Sequence, residues 1–322
     1  MPDTGSALDV VSEDFAKANG LSINSTKARQ FRLPNGAYSR TIGHIKAEFR
    51  FDGEDTRYER IFHVVSGLPE DVIIGREFLE KTQTMTLHGH RIREYVRPCV
   101  LSGARVFLLH DTLADTDPAQ RTVLPCTING QPAEALPDTG SDLMLISGDF
   151  ARRHNFEIYT DLRTLVQLAD GSTTWTDGMV LDAELGFDIG DESVLAASAT
   201  EYDLIEYLSR AHDLAGVVNG SLANHGNGKS QDTSRLTLVY DLHVMEDLPY
   251  DMVLSNQFVF ENRVFQRLQG QFVSTSVDPI EPRQVTRQAT KEWYARDVFH
   301  IRNKDDSWWY KLLRISISPL CP

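Results

Sequence analysis

The sequence predicts a mostly β fold built twice along one chain, and three observations predict it. The pentapeptide Pro2-Asp3-Thr4-Gly5-Ser6 returns as Pro137-Asp138-Thr139-Gly140-Ser141, and self-similarity at a fixed spacing marks a duplicated unit. The same spacing pairs Asp14-Phe15-Ala16 with Asp149-Phe150-Ala151, and Leu33, Gly36 and Gly43 with Leu168, Gly171 and Gly178. Short apolar runs broken by Asn-Gly and Asp-Gly then recur in both copies, the pattern of strands joined by tight turns.

In copy one, Leu8 to Ala18 reads as a buried strand running into a short helix. Leu33-Pro34-Asn35-Gly36-Ala37-Tyr38 reads as a hairpin tip, because Asn-Gly supplies the positive φ angles of a tight turn. Asp71 to Leu79 is an apolar strand broken at Gly75 and entering a second short helix. The stretch 113–120 is polar and contains Pro118, the composition of a linker. Copy two opens with a hairpin, Val123 to Leu136, turning at Asn129-Gly130. After its Asp loop, Leu143 to Ile146 is a strand, Ser147 an N-cap and Gly148 to His154 a helix. Leu168-Ala169-Asp170-Gly171-Ser172-Thr173 is the second hairpin tip.

Beyond that tip the register lengthens. His63, Leu68-Pro69, Asp71 and Phe78 match His243, Leu248-Pro249, Asp251 and Phe258, which places an insertion at about 188–235. It combines a helix-like run, 202–214, with a polar stretch rich in turn formers, and reads as a surface insertion. The expected organisation is copy one at 1–97, without a hairpin before its Asp; a linker at 98–120; copy two at 121–270; and a tail at 271–322. The tail's Trp308-Trp309-Tyr310 cluster is expected to pack by ordinary apolar burial.

Composition narrows the function. A hydrophobic share of 41% and a charged share of 24% describe a folded globular chain. The net charge of −14 repels phosphate backbones, so nucleic acid is not an expected partner. Cys99, Cys126 and Cys321 are odd in number and widely spaced, which suits a reducing compartment and forms neither a disulfide framework nor a metal site. His88 and His90 read as a solvated hairpin. No stretch approaches the roughly 18 apolar residues of a membrane span, and the chain is expected in the cytoplasm.

One Asp in such a turn does little by itself. Two brought face to face cannot both ionise comfortably and share a proton, so that one serves as base and the other as acid. Such a pair activates a water for peptide hydrolysis without a metal or cofactor, and works at acidic pH until the upper apparent pKa of the pair is passed.

These residues resemble the retropepsins, in particular the protease domains of long-terminal-repeat retroelements and their domesticated relatives. The resemblance spans roughly 2–97 and 121–270. It rests on the Asp-Thr-Gly-Ser loops, the Asn-Gly and Asp-Gly turns, and the Leu-Pro-Glu-Asp-Val-Ile-Ile-Gly-Arg-Glu-Phe-Leu segment of copy one. It implies an aspartic endopeptidase of two β-barrel lobes in tandem, a monomeric pseudo-dimer that takes an extended peptide or protein substrate. Asp3 and Asp138 would form the catalytic dyad, Thr4 and Thr139 would interlock beneath it, and Gly5, Ser6, Gly140 and Ser141 would complete the loops. Asn35, Gly36, Asp170 and Gly171 would tip the flaps. Three departures stand out. Ile74-Gly75-Arg76 becomes Leu254-Ser255-Asn256 in copy two. Asp142 faces Ala7 at matched positions, and is expected to be a solvated charge. Copy one also lacks a strand pair before Asp3. The alternative reading is a catalytically inactive binding or dimerisation module that keeps the fold.

Overall fold

The computed structural model describes residues 1–97, 103–111, 120–188, 235–276, 308–313 and 315–319. The insertion expected at about 188–235 and the polar stretch 113–120 lie, but for their edges, outside the described residues. The fold is mostly β, with a few short helices.

The first series of elements is β1 (Val10–Ser12), α1 (Glu13–Ala18), β2 (Gln30–Arg32), β3 (Tyr38–Arg40), β4 (Gly43–Phe51), β5 (Arg57–Val65), β6 (Val72–Ile73), α2 (Arg76–Lys81) and β7 (Ile92–Arg97). Two short strands follow, β8 (Ala104–Val106) and β9 (His110–Asp111). The second series begins with the hairpin β10 (Gln120–Ile128) and β11 (Gln131–Pro137), then β12 (Leu145–Ser147), α3 (Gly148–Arg153), β13 (Leu165–Leu168), β14 (Thr173–Trp175) and β15 (Gly178–Asp188). It ends with β16 (Arg235–Met245), β17 (Met252–Leu254), α4 (Asn256–Glu261), α5 (Val264–Arg267) and β18 (Val273–Ser276). Last come β19 (Trp308–Leu313) and β20 (Ile315–Pro319).

The two series repeat in detail. Helices α1 and α3 are each six residues, too short to hold themselves in water. Each is started by a serine whose hydroxyl oxygen accepts a main-chain N–H, Phe15 onto Ser12 at 3.0 Å and Phe150 onto Ser147 at 2.9 Å. Strand β1 runs parallel to β5 with Val10 opposite His63, and β12 runs parallel to β16 with Leu145 opposite His243.

In the second series the strands β11-β17-β12-β16-β15-β10 close on themselves through the β10–β11 hairpin, a six-stranded barrel. In the first, β4-β5-β1-β6 follow the order of β15-β16-β12-β17, and β20 lies on the outer edge of β4. Its register matches that of β10: Thr127 and Ile128 stand opposite Gly186 and Leu185, as Ser316 and Ile317 stand opposite Arg50 and Phe49. Strand β19 likewise pairs with β7 as β10 pairs with β18. The tail thus supplies the first sheet with the strand that the opening hairpin supplies to the second. The hairpin's other strand is represented by Pro2, which bridges Ile74 as Pro137 pairs with Leu254.

Apolar residues form three clusters. One gathers Val11, Phe49, Phe51, Phe62 and Phe78 from the first series, with the rings of Phe49 and Phe78 edge to face at 5.2 Å. A second fills the barrel with Ile146, Phe150, Leu185 and Phe258. The third joins the two series, with Val10 and Ile73 on one side, Leu145 and Val253 on the other, and Phe107 to Leu109 between them.

Candidate active site

Strand β11 delivers Asp138 and Pro2 delivers Asp3 to the same place. Their main-chain N–H groups donate to matched carbonyls, Asp138 to Leu254 at 3.0 Å and Asp3 to Ile74 at 3.0 Å. Within each loop the Asp folds back on its own backbone. Oδ1 of Asp3 accepts from the N–H groups of Gly5 and Ser6 at 2.9 and 2.8 Å, and Oδ1 of Asp138 accepts from Gly140 at 2.7 Å. The serine hydroxyls donate to carbonyls two residues on, Ser6 to Leu8 at 2.7 Å and Ser141 to Leu143 at 2.8 Å. These short bonds fix both loops.

The threonines tie one loop to the other. Thr4 N–H donates to Oγ1 of Thr139 at 3.0 Å, and Thr139 N–H donates to Oγ1 of Thr4 at 3.1 Å. Their hydroxyls in turn donate across to carbonyls, Thr4 to Pro137 at 2.7 Å and Thr139 to Pro2 at 3.1 Å. Glycine is required beside them. A Cβ on Gly5 would lie 2.4 Å from the Asp138 carboxyl carbon, and one on Gly140 would lie 2.4 Å from Oδ2 of Asp3. Each carboxyl therefore rests on the glycine of the opposite loop, and the two face each other.

Both carboxyls are fully buried. Burial pushes Asp138 up to about 6. It pushes Asp3 well above the usual carboxylate range, with the charge of Asp138 adding to the rise. Their Oδ2 atoms receive no hydrogen bond from the rest of the described protein. One proton between two carboxyls is the state this arrangement favours.

The turns at Asn35-Gly36 and Asp170-Gly171 tip the β2–β3 and β13–β14 hairpins. Both glycines sit at positive φ, +78° and +79°. Each tip rests on the opposite series: a Cβ on Gly36 would lie 2.6 Å from Cβ of Asp247, and one on Gly171 would lie 2.3 Å from the Gly67 carbonyl oxygen.

Between these hairpins and the Asp loops runs 104–111, part of the segment 98–120 that is expected to be a linker. Strand β8 pairs with β13, and β9 with β2. On the other side, Phe107 N–H donates to Gly140 O at 3.2 Å, Asp142 N–H to Arg105 O at 2.8 Å, and Ala7 N–H to Leu109 O at 2.9 Å. Val106 to Leu109 have no exposed surface.

An aspartyl protease family model matches residues 124–203. The match takes in the Asp138 loop and the Asp170-Gly171 turn, and the Asp3 loop lies outside it. No curated protein matches the chain.

Arg105 is a site residue that sequence reading passes over. Its guanidinium pairs with Glu70, lies 3.6 Å from Oδ2 of Asp142 and covers the Phe107 ring at 5.3 Å, with all three charges buried. Asp142 is therefore a buried, bonded charge and not a solvated one. It accepts from Arg105 N–H at 2.8 Å and from Nδ2 of Asn256 at 3.2 Å. The sequence carried one signal, the almost apolar run Ala104 to Leu109 inside a supposed linker. Replacing Arg105 by Met takes the cation away from two buried carboxylates. The expected loss is on the order of 3–5 kcal/mol, read by urea unfolding at neutral pH. An unchanged midpoint would refute this account of the triad.

Proposed function

We propose that the chain is an aspartic endopeptidase that hydrolyses peptide bonds with a water activated between Asp3 and Asp138. One observation carries the reading: two carboxyls face to face, each against the other loop's glycine, on loops locked by reciprocal threonine bonds. The family match over the Asp138 loop supports it. We read the two strand series as tandem lobes, 1–97 and 121–270, forming a pseudo-dimer within one chain. Its substrate is an extended peptide, held beneath the flaps at Asn35-Gly36 and Asp170-Gly171.

In this step Asp138 is the base, taking a proton from the water as its oxygen attacks the scissile carbonyl. Asp3 is the acid and gives its proton to the carbonyl oxygen. The pair then supplies both base and acid.

The raised values belong to a covered cleft, and opening it to water lowers both. On a peptide chosen from a mixed library, the kcat profile reports the covered complex and is expected to have its acid limb near pH 6. The kcat/KM profile reports the open enzyme and should have that limb at lower pH. Both should fall at higher pH as the second proton leaves. Activity still climbing at about pH 9 would rule out the shared proton. Silence at every pH is what a binding-only module would give.

A further inference from the structure

Resting on that reading, we propose that the segment joining the two lobes is the protein's own substrate, cut in the same molecule at the Phe107–Leu108 bond. Asp142 and Ala7 hold matched positions, each directly after its loop serine. Their N–H groups donate to the carbonyls of Arg105 and Leu109, at 2.8 and 2.9 Å. Those two carbonyls stand two residues either side of Phe107. The Phe107 carbonyl therefore lies midway between the loops, where the two carboxyls face each other.

The backbone is turned the right way. In extended chain a residue's N–H and C=O point to the same side. Arg105 shows this, donating to Oδ2 of Asp142 and accepting from its N–H. Phe107 N–H donates to Gly140 O on that same floor, which directs its carbonyl toward the pair. From above, the flap strands hold the segment on both sides of the bond, β13 through Ala104 to Val106 and β2 through His110 and Asp111. Phe107 and Leu108 are buried in the cluster shared by the two lobes. A strand that only connected two sheets would have no reason to centre one peptide bond on both Asp loops.

The step balances with water alone. Its oxygen bonds to the Phe107 carbonyl carbon while Asp138 takes one proton and Asp3 gives one to the carbonyl oxygen. The C–N bond to Leu108 then breaks as Asp138 protonates the nitrogen, and a hydroxyl proton returns to Asp3. The products are a carboxyl on Phe107 and an amine on Leu108.

The full chain is brought to about pH 6 and followed by intact mass and N-terminal sequencing. Two fragments are expected, 1–107 and 108–322, the second beginning Leu108-Leu109-His110, with a half-time unchanged by about tenfold dilution because the reaction is intramolecular. Asp138→Asn should stay whole. Phe107→Tyr should be cut and Phe107→Glu should not, with circular dichroism recording whether each folds. A chain that cuts a mixed peptide library yet keeps this bond, cuts itself elsewhere, or slows on dilution overturns the proposal and leaves the protease reading standing. A chain that cuts neither itself nor the library overturns both.

Discussion

An Asp138→Asn chain is expected to fold normally and to lose about a thousand-fold or more in kcat/KM on a library-selected peptide. Asn matches Asp in shape, and its carbonyl oxygen can still accept the 2.7 Å bond from Gly140 N–H. It cannot ionise, so the water loses the base that takes its proton. General acid–base groups contribute roughly a hundred- to ten-thousand-fold, and here one proton acceptor carries the attack. The threonine grip does not involve the carboxyls and should survive, so circular dichroism and the melting temperature should match the parent or exceed it. Asp3→Asn should behave alike, because the pair acts as one unit and the two losses should not multiply. Retention of a tenth of the parent activity in either chain would show that the facing carboxyls are not the catalytic pair.

Removing residues 308–322 is expected to destabilise the first sheet by several kcal/mol and to abolish the proposed peptide cleavage. Strand β20 pairs with β4 over Ile315 to Pro319, and β19 with β7 over Trp308 to Leu313. At about 1 kcal/mol net per hydrogen bond, the β4 pairing alone is worth on the order of 3–4 kcal/mol. The bare edge of β4 would also be open to other strands and to aggregation. The Asp3 loop feels the loss because it hangs from this sheet through Ile74, just beyond β6. Thermal unfolding should shift down by about 10 °C. A synthetic peptide of residues 308–322, added in excess, should restore part of the shift and of the activity. An unshifted transition would mean that the tail does not complete the sheet in solution.

Much of this was legible in the sequence because it is local. The repeated pentapeptide, the Asn-Gly and Asp-Gly turns and the serine caps are each written within a few residues, and the structure places a tight loop, two hairpin tips and two short helices there. Asp3 and Asp138 could be paired on paper because the duplication implies a partner. The tail strands were not legible: pairing between Ile317 and Phe49 depends on register across nearly the whole chain, and neither segment announces the other. Arg105 was missed for a different reason. The polar residues 113–120 set the reading of the whole segment, and the apolar run before them was averaged away. Asp142 was read as a solvated charge, whereas its partner comes from that overlooked run.

The position of β20 also sets an order of events in the cell. A chain made from its N-terminus places β4 outside the ribosome early, but β20, which lies along its edge, follows every strand of the second series. Contacts of such wide sequence separation form late and carry a large closure cost. The barrel of the second series, which opens with its own hairpin, has all six strands once β17 has emerged. Translation therefore finishes the two series at different times, and the first sheet stays without its edge strand until β20 has emerged.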